Sequence, residues 1–79
     1  MKAKWIGARI NTHMGMELRL GDIVVARVWP ALEDATAWYV NTVFSGEQCL
    51  THKGTRRSAQ ARAVRELRNI QTILNEVFE

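Results

Sequence analysis

Residues 16–29 read Met-Glu-Leu-Arg-Leu-Gly-Asp-Ile-Val-Val-Ala-Arg-Val-Trp. Met16, Leu18 and Leu20 alternate with Glu17 and Arg19, the period of a strand with one buried face. Gly21-Asp22 places glycine first in a two-residue link, which suits a tight hairpin turn. Ile23 to Trp29 returns as a second strand, rich in β-branched side chains. Two strands joined by two residues must be antiparallel, so this stretch commits the chain to an antiparallel sheet.

Working outward, residues 5–10 (Trp-Ile-Gly-Ala-Arg-Ile) alternate more weakly and predict a strand. Residues 11–15 follow as a turn or loop. Pro30 ends the strand at 23–29, since proline cannot donate to a ladder. Residues 30–36 form a loop carrying Glu33 and Asp34. Residues 37–44 (AWYVNTVF) carry the strongest strand signal in the chain, and 47–53 return from a Ser45-Gly46 turn as a weaker strand. From Thr55 the period becomes helical. Ala59, Ala63, Leu67, Ile70, Leu74 and Val77 recur every three or four residues, predicting an amphipathic helix over 56–78 with that stripe as its core face. The fold class is α+β: a meander of three to four antiparallel strands with one long C-terminal helix across a face.

The 79 residues make a single domain, and one this small buries only about 60% of the surface its unfolded chain exposes. The single cysteine, Cys49, permits no intrachain disulfide and fits a reducing, cytosolic setting. No apolar run is long enough to span a membrane, and the N-terminus has no apolar signal core. The chain reads as a complete small reading frame.

Charge is unevenly placed. Residues 53–68 hold six basic residues (Lys53, Arg56, Arg57, Arg62, Arg65, Arg68) and one acid, Glu66, a local +5; the remaining five basic and seven acidic residues sum to −2, giving the net +3. Gly54-Thr55 reads as a turn and N-cap, which sets Arg56 and Arg57 in the first helical turn, where the positive end of the helix dipole already lies. An anion opposite offsets that cost. Lys53, Arg56, Arg57, Arg62 and Arg65 are therefore the candidate phosphate- or partner-binding residues, arginine's planar fork being suited to paired oxygens. The competing reading is a solvated helix face with Arg62 and Glu66 paired.

The pattern strand, turn, strand, then Gly54-Thr55-Arg56-Arg57-Ser58-Ala59 opening a helix resembles the C-terminal half of double-stranded-RNA-binding domains. Gly54, Arg56, Arg57, Ala59 and Ala63 match that family in type. The resemblance implies phosphate contacts across a groove, and it covers about 25 residues. In size and plan the chain also resembles small phage or mobile-element accessory proteins of the anti-CRISPR type, a likeness of architecture alone. It implies stoichiometric inhibition of a host nucleoprotein machine such as a CRISPR effector.

Trp5, Trp29, Trp38 and Tyr39 are the aromatic contact candidates: one set belongs in the core, and a second would anchor a partner or stack bases on an open sheet. Cys49, His52 and His13 do not make a metal set, because residues three apart on a strand face opposite ways and zinc wants four ligands. Cys49 reads as a small buried residue. Glu33 and Asp34 lack apolar shielding, so no acid–base pair is expected, and the scattered glycines form no phosphate loop. The expectation is a non-enzymatic protein without cofactor, whose partner is a host protein or nucleoprotein complex or nucleic acid itself. A homodimer is compatible with it.

Overall fold

The structure is a computed structural model that describes residues 2–10, 13–46 and 48–78. Five strands, β1 (Lys4–Ile10), β2 (His13–Leu20), β3 (Ile23–Pro30), β4 (Ala37–Thr42) and β5 (Leu50–Lys53), form one antiparallel sheet in sequence order, followed by helix α1 (Arg56–Phe78). The class is α+β as the periodicities imply, with one strand more than the three or four expected. Both weakly patterned segments join the sheet, β1 along its whole length, from Lys4↔Arg19 to Ile10↔His13, and β5 along β4.

Five boundaries differ from the sequence reading. β1 begins one residue earlier, at Lys4, and β3 keeps Pro30, expected in the following loop, as its last residue, paired with Trp38. β2 begins at His13, because His13, Met14 and Gly15 complete the pairing with Ile10, Arg9 and Ala8. Gly15 belongs there for steric reasons: a Cβ would stand 2.3 Å from the Val28 carbonyl oxygen and 2.9 Å from Trp29 Cβ. β4 stops at Thr42 instead of 44, since Ser45 turns the chain. Its backbone N–H donates to the Thr42 carbonyl (3.1 Å) and its Oγ accepts from Thr42 N–H (2.8 Å). β5 starts at Leu50; residue 47, where that strand was expected to begin, lies outside the described residues.

Gly21 opens the β2–β3 turn with a φ of +62°, the left-handed geometry such hairpins need. Beyond the turn the register shifts between Leu18 and Arg19: Arg19 pairs with Val24, but Leu18 pairs with Ala26. Val25 is the extra residue, and the bulge decides which side chains share a face.

One face of the sheet carries Leu18, Ala26, Val28 and Val40. Helix residues Ala59 and Ala63, both fully buried, press onto it, with Trp5, Met16, Trp38, Val64 and Leu67 around the margin. Two alanines at i and i+4 let the helix axis approach closely. The stripe behaves as core only over its first half. Leu67 and Ile70 are half-buried, and Ile73, Leu74 and Val77 are exposed at 54%, 43% and 67%. At about 1.5 Å per residue, α1 is ~35 Å long, and past Ile70 it overruns the sheet by roughly two turns. Among the described residues no helix is long and apolar enough to cross a membrane.

Candidate binding surfaces

The helix start is built by a reciprocal cap. Thr55 Oγ1 accepts from Ser58 N–H (3.1 Å), and Ser58 Oγ accepts from Thr55 N–H (2.9 Å). Ser58 thus takes the part that Glu or Gln plays in a capping box. Its hydroxyl also lies 2.9 Å from the Thr55 carbonyl oxygen and 2.9 Å from His52 Nε2, tying the cap to β5. Gly54 makes this possible. Its φ is +143°, its N–H donates to the Thr36 carbonyl (2.9 Å), and a Cβ there would sit 2.5 Å from Ser58 Oγ.

Beyond this cap the first turn of α1 contains no acid, and Arg56 and Arg57 are exposed in it. The basic residues then divide. Arg62 is half-buried and its Nε–H donates to Glu66 (2.9 Å); Lys53 stands 3.8 Å from Asp34. Arg56, Arg57, Arg65 and Arg68 are exposed and make no ion pair with a described residue. At 100° per residue, Arg57, Arg65 and Arg68 fall within an ~80° arc on the outer side of the helix and span about 17 Å. Arg68 was not singled out beforehand as a contact residue; its place beside Arg57, eleven positions on, is the helical signal that marks it.

The face of the sheet away from the helix carries the second surface. Glu17, buried, accepts from Arg19 (2.7 Å to Nη2) and from Arg27 Nε (3.1 Å) across the β2–β3 pair. These hydrogen bonds, Arg19's foremost, hold its carboxyl below the ordinary carboxylate range. Trp29 is buried beside them and packs against Tyr39 with ring centres 5.6 Å apart. The Tyr39 hydroxyl donates to Glu33 (2.9 Å), which raises the phenol pKa. A shallow recess of about 400 Å³ opens here between Ile10, Glu17, Arg27, Trp29, Asn41 and Cys49. Of its two arginines, Arg27 is already engaged by Glu17, while Arg9, exposed at the rim, makes no ion pair with a described residue. The periodicity reading did not single out this Glu17 cluster, because unbulged hairpin pairing would have set Ala26, not Arg27, opposite Glu17.

The aromatic candidates separate by face. Trp5 and Trp38, half-buried, pack against the core under the helix; Trp29 and Tyr39 lie on the opposite side. Cys49, expected to be buried, is exposed in the loop before β5. The Glu33 carboxyl is lowered by a hydrogen bond it accepts from its own backbone N–H and by the Tyr39 hydroxyl, and that of Asp34 by the Thr36 hydroxyl and N–H. With Glu17, every carboxyl that moves is thus held ionised. Among the described residues, no three of His, Cys, Asp and Glu come together.

No family model, no curated protein and no solved structure matches this chain.

Proposed function

We propose that this protein is a non-enzymatic binding module that docks onto an acidic macromolecular surface through the outer face of α1. One observation carries the reading: Arg57, Arg65 and Arg68 on the outer face, with Arg56 to one side of them in the first turn, are exposed and free of ion pairs with described residues, on a helix whose first turn holds no acid. Such a row opposes the helix dipole at its start and repels itself along its length. An anionic partner relieves both costs, and the guanidinium fork binds paired carboxylate or phosphate oxygens. The partner class proposed is a host nucleoprotein machine, a CRISPR effector being the type, which presents phosphates and acidic side chains on one surface. Occupying that surface one-to-one would inhibit it, in keeping with the architectural resemblance to small phage proteins. The aromatic residues take a smaller part than the arginines, since Trp29 is buried and Trp5 and Trp38 are half-buried against the core.

Direct binding of naked nucleic acid uses the same row, and salt separates the two readings. Four unpaired arginines limit the log–log salt slope on duplex to about −3.5. The test is the triple variant Arg57→Glu, Arg65→Glu, Arg68→Glu. It should keep the circular dichroism of the parent and lose capture of its partner from host lysate. Undiminished capture would sink the proposal. A steep salt slope and submicromolar binding to a mixed DNA and RNA pool at about 150 mM salt would transfer it to nucleic acid.

A further inference from the structure

The overrunning end of α1 presents an apolar surface that nothing in the described fold covers. Ile73, Leu74 and Val77 continue the core stripe past the sheet edge. Next to them, Phe44 (56% exposed), Leu50 and Ile70 line a groove of about 200 Å³ between the β4–β5 link and the helix. The segment 69–78 contains Asn69, Ile70, Thr72, Ile73, Asn75 and Val77, residues of middling to low helix propensity, with Glu76 its one charge. Three turns of such sequence do not hold a helix in water without packing. We infer that the occupant is a second copy of this chain, and that two copies pair antiparallel through the ends of α1, each end resting in the Phe44–Leu50–Ile70 groove of the other.

Two observations select a second copy. The stripe is self-complementary: Leu67, Ile70, Leu74 and Val77 are spaced three, four, three, which reads the same in both directions. An antiparallel twofold at position 72 sets Ile70 opposite Leu74 of the second copy and brings its Val77 to the exposed part of Leu67, whose other side packs on its own core. Ile73 of each copy then meets its equivalent beside the axis, which accounts for its apolar character. The area also fits. Phe44, Leu50, Ile73, Leu74 and Val77 leave between 36% and 67% of their surface exposed, together roughly 500 Å², close to the apolar share of the ~800 Å² each partner buries in a standard interface. This inference does not rest on the anion-binding reading, since the arginine row lies on another side of the helix.

The test is the mass of the full chain in solution by light scattering. At about 100 µM the expected value is twice the 9.0 kDa of the single chain, falling on dilution. Ile73→Lys, an exposed substitution, should weaken association by about 30-fold or more, and its helical circular dichroism should fall no further than that of the parent diluted to the single chain. Gln71→Cys in a Cys49→Ser background sits beside the twofold and should be linked between copies by a short bismaleimide; Asp22→Cys, at the hairpin tip, should not. A mass of 9.0 kDa at that concentration overturns the inference. So does a dimer indifferent to both Ile73→Lys and Val77→Lys, or linking at Asp22→Cys in place of Gln71→Cys. Arg57→Glu should leave the mass unchanged, so loss of partner binding and loss of dimer are read apart.

Discussion

Replacing Gly54 by alanine should be among the most damaging single-methyl changes in the protein, although the residue is exposed. Two costs combine. The φ of +143° is one that side-chain-bearing residues rarely adopt, and holding alanine there costs on the order of 1–3 kcal/mol. The added Cβ would also stand 2.5 Å from Ser58 Oγ and 3.3 Å from His52 Nε2. Ser58 must then swing away, which breaks the cap on Thr55 N–H, worth about 1 kcal/mol. Against this, alanine narrows the unfolded ensemble by about 0.4–1 kcal/mol. The net loss comes to about 1–3.5 kcal/mol, centred near 2, which corresponds to a fall of roughly 8–16 °C in Tm at that centre for a domain of this size. Urea unfolding followed by tryptophan fluorescence measures it. Ser58→Ala alone should lose about 1 kcal/mol. The double variant should lose less than the sum by about 1 kcal/mol, because the clash with Oγ has gone. A loss below about 1 kcal/mol for Gly54→Ala, or strict additivity in the double variant, would refute the link between glycine, cap and helix start.

The Glu17 cluster gives a pH dependence of definite sign. Its carboxyl is lowered from an ordinary 4.5 by Arg19 and Arg27, so its stabilisation is complete above that value and is lost as pH falls through the lower folded pKa. Glu17→Gln should flatten the stability profile in that acid range and cost about 1–2 kcal/mol at neutral pH, both arginines being partly solvated; parallel profiles for variant and parent would count against it. At the helix–sheet contact, Ala63 is fully buried and Ala61 exposed. Ala63→Leu should therefore lose about 1–3 kcal/mol by overpacking while Ala61→Leu stays within about 0.5, and equal effects on the urea midpoint would show that the helix is not seated on its alanines.

The chain by itself determined the class of fold and the polarity of its elements. The alternation in 16–20, the Gly21-Asp22 link and the change of period at Thr55 are local properties, set by backbone geometry and side-chain spacing, and they appear in the structure where they were read. Gly54-Thr55 as a cap is of the same kind, because its hydrogen bonds close within four residues. The Ser58–His52 contact joins two elements and was not visible in the local pattern. Where the helix stripe ceases to be core was equally hidden. The spacing from Ala59 to Val77 is uniform, and only the width of the sheet leaves Ile73, Leu74 and Val77 without a floor. The bulge at Val25 is the clearest case. One extra residue moves the pairing from Ala26 to Arg27 opposite Glu17, which turns both charges away from the helix and puts Ala26 and Val28 beneath it. Alternation sets which residues of a strand share a face, but the offset between neighbouring strands is chosen by burying the best apolar set against the helix, and that choice belongs to the assembled fold.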